Sequence, residues 1–132
     1  MNSKESSGAL FARLPSIPKA LAWTPSGTAL VVGLSDQSLV VLDRATGAPI
    51  THFTDNNFTG RALAVSPDRK HLAFQVDYES IRLCNFPSGG HYFTYSQWKD
   101  HYHSVAYSSK GFLAMGGTRF ENRMNDYAIV RV

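Results

Sequence analysis

The amino-acid sequence predicts an all-β fold built from four-stranded antiparallel units. Three observations support this prediction: similar segments recur every 42 residues, short strand-like runs alternate with Pro- and Gly-containing turns, and no stretch shows the apolar period of a helix. The clearest copies of the repeat are ALAWTPSG at 20–27, ALAVSPDR at 62–69 and SVAYSSKG at 104–111. A period of about 40–45 residues with four strands per unit is typical of β-propeller blades.

The middle unit shows its four strands, which we name a to d, most plainly. We place them at 61–66, 71–76, 80–85 and 91–96. Each run is short and rich in β-branched or aromatic residues, and this composition favours a strand over a helix. Turn residues separate the runs: Ser66-Pro67-Asp68-Arg69 fits a type I turn, and Pro87-Ser88-Gly89-Gly90 closes the c–d hairpin.

Alanine recurs in the middle of strand a, at Ala22, Ala64 and Ala106, although alanine is a poor strand former. In a propeller, the first strand of each blade lies nearest the axis, where neighbouring blades crowd and small side chains fit. Ordinary filling of the core by small residues is the alternative explanation.

Several short motifs carry a resemblance to a known family. The first unit contains LAWTPSG at 21–27, LVVG at 30–33, Asp36 in the b–c turn and Leu42-Asp43 at the end of strand c, and the other units contain LAVSPD at 63–68 and LAMG at 113–116. This pattern resembles the WD40 repeat from about residue 8 to the end of the chain. Leu42 and Cys84 stand where that family typically has Trp. The resemblance implies a propeller that serves as a non-enzymatic scaffold for protein–protein interaction.

The phase of the repeat predicts how the chain is organised. We expect a disordered tail at 1–7 and a partial WD40-like propeller at 8–132, with a lone strand d at 8–14 and repeats at about 20–61, 62–103 and 104–132. Closed propellers have about 4–8 blades, so two interpretations stay open. Two chains can pair head to tail, or the chain is the N-terminal part of a longer propeller.

The unpaired edge strands of such a chain predict self-association. An exposed strand edge recruits other strands. If the 132 residues are the complete chain, we expect residues 8–14 of one copy to pair beside residues 128–132 of another. If they are part of a longer propeller, we expect the isolated piece to be poorly soluble or unstable.

Composition excludes several classes of protein. Hydrophobic residues make up 43% and charged residues 17% of the 132, as in ordinary folded domains. The single cysteine, Cys84, excludes an intrachain disulfide. The sequence has neither an apolar run of the roughly 18 residues that a membrane helix needs nor a signal-peptide pattern. We therefore expect an intracellular, cytoplasmic protein without a membrane partner.

Strand alternation predicts which connections share an edge of the propeller. All b–c and d–a connections lie on one edge, here called the loop rim, whereas the a–b and c–d turns lie on the opposite edge, the turn rim. The loop rim carries the long connections at 55–61, 97–103 and 117–127. Binding residues are concentrated on such loops. The candidate protein-binding residues are Trp98, Lys99, Tyr102, Arg119, Phe120 and Arg123.

Other interpretations of these residues stay open. Trp98 can simply pack between blades, and the insertion at 118–124 can be tolerated without a function. Trp98 and Tyr102 can also serve as stacking platforms in a propeller that binds a carbohydrate or another small ligand. The chain can further be an accessory propeller of a larger enzyme.

Nothing in the sequence predicts a catalytic residue, a metal site or a cofactor. His101 and His103 lie two residues apart, but a metal site needs further ligands at a suitable spacing. The GxSxG and GxxxxGK motifs are absent. The loop rim carries five basic residues against seven acidic ones, so no nucleic-acid partner is predicted.

Overall fold

A computed structural model describes residues 10–54, 58–59, 62–77, 79–97, 100–119 and 127–131. The described residues form eleven strands and no helix. The strands are β1 (Pro18–Trp23), β2 (Ala29–Leu34), β3 (Leu39–Asp43), β4 (Pro49–Phe53), β5 (Leu63–Val65), β6 (His71–Asp77), β7 (Ser80–Asn85), β8 (His91–Ser96), β9 (Asp100–Tyr107), β10 (Leu113–Arg119) and β11 (Tyr127–Arg131). The predicted tail at 1–7 lies outside the described residues.

The strands form three antiparallel sheets in chain order. The first sheet holds β1 to β4, the second β5 to β8, and the third β9 to β11. The all-β prediction is confirmed, and the predicted bounds of strands c and d in the middle unit are those of β7 and β8. Strand a is shorter than predicted, since β5 begins at Leu63. No helix in the described part of the chain is long and apolar enough to cross a membrane.

Apolar side chains fill the two spaces between the sheets. Between the first and second sheets, Val31 and Val41 belong to a buried cluster with Leu72 and Phe74. Between the second and third sheets, a smaller cluster comprises Ala73, Ile81, Tyr102 and Met115. This face-to-face arrangement is that of neighbouring propeller blades, because each sheet covers the apolar face of the next.

The alanines of strand a do not all serve the same purpose. Ala22 packs against the cluster between the first and second sheets, close to where β1 lies beside β5. The crowding argument therefore applies to Ala22. Ala64 is half-buried and Ala106 is exposed.

The segment before β1 differs from the prediction of a lone strand at 8–14. Its described part, residues 10–14, forms no strand. Ala12 and Leu14 instead pack on the outer face of the first sheet, against a buried cluster of Val32, Leu34, Val40 and Leu42. The segment also passes close over Gly47, where an added Cβ would overlap the carbonyl oxygen of Phe11. Covering this apolar face removes it from water, and we name residues 10–14 the strap.

Candidate functional site

Two of the three long connections of the loop rim are shorter in the structure than the sequence predicts. β9 begins at Asp100 and β10 continues to Arg119, so strands take up most of 97–103 and the beginning of 117–127. Gly117 permits this extension. It pairs with Tyr102 just after a register shift, and an added Cβ at Gly117 would overlap the carbonyl oxygen of His101. Any side chain at this position would push the two strands apart.

A buried carboxylate joins the loop-rim ends of β9 and β10. Asp100 is fully buried. One of its oxygens accepts a hydrogen bond from Nη1 of Arg119 at 2.9 Å, and the other accepts one from the Tyr102 hydroxyl at 2.8 Å. The Asp100 backbone N–H donates to the carbonyl of Gln97 at 3.0 Å. We name Asp100, Tyr102 and Arg119 the Asp100 network.

Burial keeps the Tyr102 hydroxyl in the form that the Asp100 network requires. Burial, and then the hydrogen bond to Asp100, raise the pKa of Tyr102 well above its ordinary value. The hydroxyl therefore stays protonated and donates at any physiological pH. The ring lies 6.2 Å from the ring of Tyr95, inside the apolar cluster between the second and third sheets.

The structure brings two of the predicted site residues together, in a different environment from the one expected. Tyr102 is fully buried, so its ring offers no contact area on the surface. The Arg119 side chain is 21% exposed, and its guanidinium forms an ion pair with Asp100. The other candidates, Trp98, Lys99, Phe120 and Arg123, lie outside the described residues. The protein-binding role of all six stays a prediction.

The residue that sequence analysis missed is Asp100, which links Tyr102 to Arg119. A usable signal was present, because residues two apart on a strand point to the same face. Asp100 and Tyr102 have this spacing, but a lone carboxylate between a Lys and a His looks like an ordinary surface residue. Only the pairing of β9 with β10 brings Arg119 to it, opposite Asp100 in the register.

Burial of Tyr102 also bears on the carbohydrate-binding alternative. A stacking platform needs an exposed ring face, and Tyr102 has none. That hypothesis therefore loses one of its two rings, and Trp98 lies outside the described residues.

The remaining groups that could take part in catalysis or metal binding are the thiol of Cys84 and the His, Asp and Glu side chains. Cys84 lies in the cluster between the first and second sheets, and burial raises the pKa of its thiol to about 11. Few thiolates form at neutral pH under these conditions, so the side chain behaves as a small apolar residue. Within the described ranges, no three His, Cys, Asp or Glu side chains lie close enough together to hold a metal ion.

Comparison with known proteins identifies the fold by structure rather than by sequence. No model of a protein family matches the chain, and no curated protein is similar to it in sequence. Three similar solved structures are the Kuenenia stuttgartiensis hydrazine synthase (TM-score 0.67, 19% identity), the RRP9 WD40 repeats (TM-score 0.69, 17% identity) and U3-55K (TM-score 0.69, 16% identity). The matches cover 86%, 89% and 90% of this chain.

The chain spans 33%, 39% and 40% of the lengths of these three structures, in the same order. The likeness extends across nearly all of this chain and includes WD40 repeat domains. The fold is therefore that of a partial WD40-type β-propeller, made of three consecutive blade-like sheets.

Proposed function

We propose that this protein is a non-enzymatic scaffold that binds a protein or peptide through its loop rim. The observation that carries the proposal is the Asp100 network, which holds the strand ends on either side of two loop-rim connections. One connection, 97–99, leads into β9, and the other, 120–126, follows β10. The likeness to WD40 repeats supports an interaction role at the level of the fold alone.

A rigid base makes these connections suited to binding. Loops whose ends are held in place lose less conformational entropy when a partner binds, and this raises affinity. The two connections contain aromatic and basic residues: Trp98, Lys99, Phe120 and Arg123. Trp and Arg are the residue types most enriched among those that dominate binding energy.

Replacing Trp98 by Ala is expected to weaken binding of a captured partner by about tenfold or more, the usual cost of losing a dominant aromatic contact. The partner is obtained by affinity capture from an extract of the source organism. It is then purified, and its Kd for the wild type and for each variant is measured by calorimetry. Phe120→Ala is the second test variant.

Arg44→Ala serves as the matched control, because Arg44 is exposed in a c–d turn on the turn rim. Its Kd is expected to equal that of the wild type. A partner whose affinity falls with Arg44→Ala but not with Trp98→Ala would contradict the proposal. Specific binding of this protein to a glycan array, with no protein partner captured, would contradict it as well.

Self-association is the second part of the proposal. In the described part of the chain, the third sheet has three strands where the others have four, and β11 has a neighbour on one side only. An open strand edge of this kind recruits another strand. We expect the 132-residue chain to be a dimer or a higher oligomer in which residues 8–14 of one copy leave the first sheet and pair beside residues 128–132 of another.

Light scattering behind a sizing column measures this. A full-length chain that elutes as a monomer and melts in one sharp transition would overturn the expectation. Location inside the cell stays a prediction from the sequence.

A further inference from the structure

A cleft of about 430 Å³ opens on the turn rim, between the second and third sheets. It lies opposite the loop rim and shares no residue with the Asp100 network. The apolar part of its lining consists of Pro67, Leu83, Tyr107 and Leu113, and Asp68, His71 and Lys110 contribute polar groups. The cleft thus combines apolar and charged groups on a surface that is open to solvent.

The two turns that wall the cleft are internally hydrogen-bonded. In the first turn, one carboxylate oxygen of Asp68 accepts from the Ser66 hydroxyl at 2.5 Å and from the Lys70 backbone N–H at 2.9 Å. In the second turn, the Ser108 hydroxyl accepts from the backbone N–H of Phe112 at 3.0 Å. The walls are therefore formed before any ligand arrives, which reduces the entropy cost of binding.

Arg69 occupies an unusual backbone position in the first of these turns. Its φ is 63°, and the equivalent positions in the other two a–b turns are Gly27 (φ 72°) and Gly111 (φ 90°). The left-handed region is open to glycine and disfavoured for a residue with a Cβ. Strained backbone of this kind is concentrated at binding and catalytic sites. The a–b turn that lacks glycine thus carries an exposed arginine, which follows the lining residue Asp68 in the sequence.

The two turns that flank the cleft carry more positive than negative charge. Their exposed cationic side chains are Arg69, Lys70 and Lys110; Lys110 lines the cleft, and Arg69 and Lys70 follow the lining residue Asp68 in the sequence. Asp68 is the opposing charge, and its hydrogen bonds from Ser66 and from the Lys70 backbone lower the pKa of its carboxyl, so it is ionised at neutral pH. A ligand that complements this arrangement carries several negative charges and at least one hydrogen-bond donor.

We propose that this cleft binds an acidic segment of a partner protein. An apolar side chain of the segment rests on Leu83 and Leu113, and its carboxylates face Arg69, Lys70 and Lys110. Polypeptide backbone supplies N–H groups that can donate to Asp68, whereas a phosphodiester backbone has none and would meet repulsion there. The site is independent of the loop rim, so the chain would hold two partners on opposite rims.

The test uses a probe peptide with fluorescein on its N-terminal amine, fluorescein-Gly-Leu-Glu-Glu-Leu-Gly-amide, and its counterpart with Lys in place of Glu. Fluorescence anisotropy with the full 132-residue chain is expected to show saturable binding of the acidic peptide only. The affinity is expected to fall with added salt, because exposed charges are screened. Lys110→Glu is expected to weaken binding about fivefold or more, and Arg44→Glu, a charge reversal elsewhere on the turn rim, to leave it unchanged.

Arg69→Gly separates a binding role from a structural one. Glycine adopts the left-handed backbone conformation without strain, so the Tm is expected to rise. The loss of the guanidinium is expected to weaken binding of the acidic peptide about twofold to fivefold. An unchanged Kd in Arg69→Gly, equal binding of the Lys peptide, or tighter binding of a twelve-residue oligothymidine would each overturn the proposal. Trp98→Ala is expected to leave the Kd of the probe unchanged, so failure of the loop-rim proposal would be seen separately.

Discussion

Replacing Asp100 by Ala is expected to lower the free energy of unfolding by about 3–5 kcal/mol, the usual cost of breaking a buried ion pair from one side. Asp100 is fully buried and accepts hydrogen bonds from both Arg119 and Tyr102. Its removal takes this carboxylate away from Arg119, whose side chain is only 21% exposed. Urea denaturation followed by circular dichroism measures the change.

Glu79→Ala is the matched control for Asp100→Ala, because Glu79 is an exposed carboxylate near the loop rim. An exposed substitution of this kind changes stability by about 0.5 kcal/mol or less. Tyr102→Phe is expected to be intermediate, at about 1.5–3 kcal/mol, since it removes one hydrogen bond to a charged group. If Asp100→Ala costs no more than Glu79→Ala, the network does not hold the strand ends together.

Phe74→Ala is expected to destabilise the protein by about 3–5 kcal/mol, the usual cost of removing a phenyl ring from a core. Phe74 is fully buried between the first and second sheets, where its ring lies 6.4 Å from that of Phe58. Phe58 comes from the connection between β4 and β5, so the ring pair joins a loop-rim segment to the sheet interface. Thermal and urea denaturation both measure the loss.

Phe112→Ala makes the same chemical change at a position that is 64% exposed, and it is expected to cost about 0.5 kcal/mol or less. The two variants together test whether the sheets depend on one another. If Phe74→Ala costs as little as Phe112→Ala, the interface between the first two sheets contributes little, and stacked blades are the wrong description of the chain.

The sequence determined the strands of this protein wherever the signal is local. β7 and β8 have their predicted bounds because alternating apolar residues and turn residues such as Gly89 act within a few positions along the chain. The 42-residue repeat determined the stacking of similar sheets for a related reason. A unit with an apolar face on each side must be covered by its neighbours.

Tertiary structure alone decided where the strap lies and where β9 begins. The strap has the apolar pattern of a strand, but the face of the first sheet formed by Val32 and Val40 lies within its reach and removes its apolar side chains from water. β9 continues to Asp100 because β10 brings Arg119 and the small Gly117 beside it. Both outcomes depend on residues far apart in sequence, whose burial and charge pairing exist only after the sheets have formed.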